Sequence, residues 1–155
     1  MVKKSQLIED RLDDPGEIVA EAPEIFQTMK VGELMAMPPI IFLIDDLLTQ
    51  HGFSVMYGAP GCGKTFLALD MALSVASGRD FHGMATKKGA VLYIAGEGVG
   101  GLGKRVNAWI SNRGDGINPD DLPFYVLPTA VNFANPTEVE KLSVTIQLLE
   151  EQAGG

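Results

Sequence analysis

The residues Gly58-Ala59-Pro60-Gly61-Cys62-Gly63-Lys64-Thr65 fit the pattern G-x-x-x-x-G-K-[ST] of a phosphate-binding P-loop. A polyphosphate needs several backbone N–H donors converging on its oxygens, and a glycine-rich loop wrapped into a concave nest supplies them. Gly58, Gly61 and Gly63 allow backbone conformations and close approaches that a Cβ would block. A helix starting near Gly63 adds its positive N-terminal end. Lys64 is expected to reach the β- and γ-phosphates, and the Thr65 hydroxyl to bind Mg²⁺. Ala59, Pro60 and Cys62 fill variable positions, and Phe66 completes the stretch expected to contact ATP.

Such a motif requires a strand before it and a helix after it. Phe53-Ser54-Val55-Met56-Tyr57 is a β-prone run entered from the turn-like Gln50-His51-Gly52. Residues 64–77 read as a helix apolar nearly all round, stopped by Gly78. After the connector 79–89, Ala90-Val91-Leu92-Tyr93-Ile94-Ala95 is a buried-strand signal. Strand, helix and strand make a βαβ unit, which implies a parallel sheet.

Parallel α/β sheets deliver functional residues at the carboxyl ends of their strands. Glu97, just past the second strand, is therefore expected on the same sheet edge as the P-loop, where a carboxylate could orient the water attacking a γ-phosphate. The same loop satisfies G-x-G-x-x-G twice, at Gly96-Gly98-Gly101 and at Gly98-Gly100-Gly103. Two overlapping matches show how weak that pattern is, and the stronger phosphate motif outweighs a dinucleotide site. Ile40 to Asp46 mimics a Walker B strand ending in acids, but it lies upstream of the P-loop, so a buried strand with an exposed acidic end is the better reading. His82 has no second ligand spaced to share a metal and reads as a loop residue.

A 155-residue chain with 46% apolar and 21% charged residues suits one soluble domain. A single cysteine excludes an internal disulfide framework, and no signal-peptide pattern opens the chain, so a cytoplasmic setting is expected. No apolar stretch reaches the ~20 residues of a membrane helix. The net charge of −8 argues against a broad nucleic-acid surface on this chain alone. Residues 1–37 read as an acidic, partly ordered arm with a short helix over Ser5 to Leu12, a turn at Asp13-Asp14-Pro15-Gly16 and weak helical periodicity from 17 onward. The remainder, 38–155, reads as one P-loop domain. Lys104 to Arg113 is expected to be helical, with Val106, Trp109 and Ile110 on one face. Phe124-Tyr125-Val126-Leu127 is a further strand. Asn135-Pro136-Thr137-Glu138 opens a helix to about Gln152, with Val139, Leu142, Ile146 and Leu149 on its buried face.

Together, Pro38 through Leu48, the loop Gly58 to Thr65, Phe66-Leu67-Ala68-Leu69-Asp70, Ser77-Gly78-Arg79 and Val91 through Gly98 with Gly101, Leu102 and Arg105 resemble one family. They resemble the RecA-like ATPase domain of RepA-type hexameric helicases, AAA-family ATPases of plasmid and phage replication modules. The resemblance covers about residues 30–150. It implies an α/β P-loop NTPase with a RecA-like parallel sheet and flanking helices. It also implies ATP with Mg²⁺, assembly into a homo-oligomeric ring, and DNA unwinding or processing. Glu97 matches the family's catalytic glutamate by position. Family members continue into a Walker B strand, a sensor strand and DNA-binding loops, so the chain is expected to be the N-terminal half of such an ATPase and to turn over ATP weakly or not at all alone. Two other readings remain open: a non-catalytic nucleotide-binding or interaction module, and a P-loop kinase, for which no Arg-rich lid is present.

Overall fold

The structure, a computed structural model, describes residues 26–96 and 98–153. Its contacts divide the chain into two units, Met1–Pro38 and Pro39–Gly155. In the first, the described residues form one short helix, α1 (Val31–Met35), entered through a bond from Lys30 N–H to Glu33 Oε2 at 2.7 Å. The expected helix over Ser5 to Leu12 and the turn after it lie outside the described residues. The second unit runs β1 (Phe42–Ile44), β2 (Leu48–Thr49), α2 (Lys64–Ser77), β3 (Val91–Ile94), α3 (Val99–Arg113), a 3₁₀ turn (Pro119–Asp121), β4 (Phe124–Leu127) and α4 (Pro136–Ala153).

Helix α2 has the predicted bounds. Leucine and alanine dominate it, which favours the helical backbone. It ends in a Schellman stop, with Gly78 N–H donating to the Val75 carbonyl at 3.3 Å and Arg79 N–H to that of Ser74 at 3.1 Å. Its apolar girdle feeds two core clusters. Leu69 and Leu73 pack with Ala95, Leu102 and Trp109, and Val75 packs with Ile44 and Phe81.

β3 and β4 pair in parallel, Val91 opposite Phe124 through Ile94 opposite Leu127, with α3 as the crossover between them. This small parallel sheet with helices around it fits the P-loop NTPase class, but the βαβ unit is β3–α3–β4 and not the one expected through α2. The run Phe53 to Tyr57 forms no strand, with Phe53 and Tyr57 more than 90% exposed. A β-prone run becomes a strand when a neighbour takes its N–H and C=O groups. The described strands instead pair as β1 with β2 and β3 with β4.

Ile40 to Asp46 keeps its expected exposed acidic end but is a shorter and less buried strand than expected. Only Phe42–Ile44 is strand, it pairs antiparallel with β2, and Ile44 alone is buried while Ile40 and Ile41 are exposed. Asp45 and Asp46 form the exposed hairpin turn. Helix α3 starts at Val99, five residues before the expected Lys104, and takes Gly100, Gly101 and Gly103 into its first turns. Burial of Leu102 and Trp109 overrides the poor helix propensity of those glycines. At the start of α4, Asn135 Oδ1 accepts from Thr137 N–H at 3.1 Å, as its N-cap role predicts. Along α4, Leu142 and Leu149 are half-buried, but Val139 and Ile146 are exposed, so the expected apolar face is only partly covered.

Leu73 is fully buried at the centre of the larger cluster, so Leu73→Ala should cost about 2–5 kcal/mol of stability, read by chemical denaturation. An exposed run of β-prone apolar residues whose backbone is unpaired in a sheet is a template for pairing with another chain. The 155-residue chain should therefore self-associate with rising concentration, and Val55→Lys should shift sedimentation-velocity profiles toward monomer. Equal association by both proteins would clear residues 53–57 of that role.

Candidate phosphate-binding site

The glycine-rich loop leads straight into α2. Gly61 and Gly63 turn through left-handed backbone, with φ of 77° and 90°, and Gly63 stands at the helix N-terminus with no side chain capping it. A Cβ on Gly58 would lie 2.9 Å from Cys62 Sγ, so a side chain there would require the Cys62 thiol to turn aside. Ala59 and Pro60 carry the outer arc, and Cys62 N–H donates to the Ala59 carbonyl at 3.3 Å.

Lys64, the first residue of α2, folds its side chain back over the loop. Its Nζ donates to the carbonyls of Gly58 and Ala59, both at 2.9 Å, and lies 3.9 Å from Cys62 Sγ. One ammonium thus sits at the mouth of a loop whose backbone leads into a positive helix end. Thr65 and Phe66 follow on the exposed first turn of α2. A loop of this shape, with a lysine ammonium at its mouth and a helix N-terminus behind it, is chemically suited to an anion. No group of three or more His, Cys, Asp or Glu side chains able to hold a metal occurs among the described residues. Glu97 lies outside the described residues, between the end of β3 and the start of α3 in the chain.

A second cluster adjoins the loop. The Arg105 guanidinium stacks on the Phe66 ring, 4.9 Å from its centroid. One turn further along both helices, Asp70 Oδ1 accepts from Trp109 Nε1–H at 2.7 Å and from the Arg113 guanidinium. Its Oδ2 lies 2.9 Å from His82 Nε2. Arg113 also donates to the Asp80 carbonyl at 2.7 Å. A cleft of about 430 Å³ opens between the helices here, lined in part by Phe66, Asp70, Lys104, Arg105, Trp109 and Arg113.

Sequence reasoning placed Trp109 in the core and His82 in a loop, and the structure agrees with both. It passed over Asp70. The available signal was a carboxylate six residues after Lys64 inside an otherwise apolar helix, because a half-buried charge there requires partners. Gly100, Gly101 and Gly103 lie within α3, so the G-x-G-x-x-G matches do not describe a strand-to-helix phosphate turn.

No helix among the described residues is long and apolar enough to cross a membrane. No curated protein and no solved structure matches the chain. The family model described as "AAA domain" matches residues 21–153, and the chain belongs to that family of P-loop ATPase-type proteins.

Proposed function

We propose that residues 58–66 bind ATP with Mg²⁺ and that the chain belongs to an ATPase of the RepA-like helicase type, serving DNA replication or DNA processing. The observation that carries the nucleotide reading is the Lys64 ammonium held over the loop mouth by the Gly58 and Ala59 carbonyls, at the uncapped N-terminus of α2. AAA-domain membership supports ATP as the ligand. The helicase type rests on the motif combination in the sequence, from the P-loop through Val91-Leu92-Tyr93-Ile94-Ala95-Gly96-Glu97-Gly98. Residues 38–155 are the ATPase unit in this reading and residues 1–37 an arm attached to it. The working form is a cytoplasmic homo-oligomeric ring that acts on DNA.

Each group has a definite task. Backbone N–H groups of residues 61–65 cradle the phosphates, with Ala59 and Pro60 shaping the loop, and Phe66 flanks the site. Lys64 exchanges the two loop carbonyls for phosphate oxygens, keeping charge-assisted hydrogen bonds throughout. Thr65 ligates the magnesium ion, which when bound neutralises charge on the transferred phosphoryl group. Glu97 holds and polarises the attacking water.

Lys64→Ala deletes charged hydrogen bonds worth roughly 1.5–3 kcal/mol, so MgATP affinity should fall about 10- to 150-fold in calorimetry. Equal affinity in wild type and variant would sink the P-loop assignment. Glu97→Gln should leave MgATP binding intact and lower hydrolysis in a phosphate-release assay. An unchanged rate would remove the water-orienting role.

A further inference from the structure

We infer that Asp70 is a positioning residue that locks α3 onto the P-loop helix, so that nucleotide occupancy is felt at Trp109. The inference rests on the reading that the P-loop binds MgATP and assigns a new role beyond it. Phe66 and Asp70 are four residues apart on α2, and Arg105, Trp109 and Arg113 are spaced by four on α3, so each set lies along one face of its helix. The two faces meet at the Phe66–Arg105 stack and at the Asp70 carboxylate with its two donors from α3.

The carboxylate does more than join two helices. Phe81 and Met84 close a tight turn through reciprocal backbone bonds of 2.8 and 2.9 Å, which puts His82 in left-handed backbone with φ 49°. A non-glycine residue adopts that conformation at a cost and persists in it when its surroundings hold it. Here His82 Nε2 reaches Asp70 Oδ2, and the His82 ring meets Phe81 edge-on at 4.6 Å. Arg113 ties the same assembly to the Asp80 carbonyl. One side chain, held at 18% exposure, therefore gathers α2, α3 and the 80–84 turn.

Lys64 heads the helix that carries Asp70. When phosphate draws the Lys64 ammonium away from the Gly58 and Ala59 carbonyls, any adjustment of the first turns of α2 passes to α3 through this carboxylate. The Trp109 indole N–H is bonded directly to it, and Trp109 is the only tryptophan in the chain, so its emission reports the coupling. The hydrogen-bond partners of Asp70 are His82, Trp109 and Arg113, none of them in the phosphate loop, and its removal should disturb transmission and leave phosphate contact in place.

The test titrates MgATP into the 155-residue chain, following calorimetric heat and tryptophan emission in parallel. Wild type should bind and change its emission with the same midpoint. Asp70→Asn should still bind, with an affinity within about twofold, the span expected for sites that share no partner, and lose the emission change. Arg113→Gln cuts the same link from the α3 side and should reproduce that loss, which keeps the test decisive where Asp70→Asn fails to fold. Asp70→Glu, retaining the charge, should recover part of the response. Calorimetric binding by wild type without an emission change, or a full response in a folded Asp70→Asn or Arg113→Gln protein, would overturn the inference alone. No binding by wild type would overturn the P-loop reading itself and the inference with it.

Discussion

Everything described in the unit Pro39–Gly155 depends on how α2 is held. Its C-terminal half is sunk in protein, with Leu73 and Ala76 fully buried and Val75 nearly so. Its first turn stands free, with Phe66 62% exposed and Leu67 44% exposed. A helix fixed at one end and bare at the other presents its uncapped N-terminal N–H groups from a rigid support. Those groups are the natural place for an anion, and the loop that precedes them needs no packing of its own to be positioned. The two core clusters meet the helix on different sides, Leu69 and Leu73 toward α3 and Val75 toward Ile44 and Phe81, so it can neither roll nor slide without opening one of them.

How legible the sequence was follows from the range of the forces involved. The P-loop, α2 with its Gly78 stop, β3, β4 and the Asn135 cap are set by local chemistry, and all lie within a few residues of where the sequence puts them. The errors involve partners distant in the chain. Phe53 to Tyr57 has the composition of a strand, but composition cannot say whether another strand lies beside it. The glycines of 98–103 read as a loop because their propensity is local, whereas the burial of Leu102 and Trp109 that makes them helical is tertiary. Asp70 was hidden for the same reason, since its donors come from residues 82, 109 and 113. The Lys64-Thr65 motif was readable because it is contiguous in the chain, and the Asp70 cluster was not because it is assembled across three elements.

The glycines of α3 explain why such a cluster belongs there. Gly100, Gly101 and Gly103 each cost a helix about 1 kcal/mol relative to alanine, all within its first five residues. Local propensity therefore makes the front of α3 its weakest part, and this is the part that follows Glu97 in the chain. Burying Leu102 and Trp109 contributes roughly 1.5–3 kcal/mol apiece, enough to offset that cost but without direction. Apolar packing holds α3 against α2 but orients no polar group. A bidirectional fix requires directional bonds, and Asp70 supplies them: the indole N–H fixes the rotation of α3, and the Arg113 guanidinium, bonded also to the Asp80 carbonyl, fixes its position along α2. Hydrogen bonds to a charged group are worth about 1.5–3 kcal/mol each. Removing the carboxylate would leave Arg113 and Trp109 as half-buried donors without it, so the loss would exceed that of one bond. The weak first turns of α3 are thus backed from its far end, through a carboxylate that rides on the same helix as Lys64.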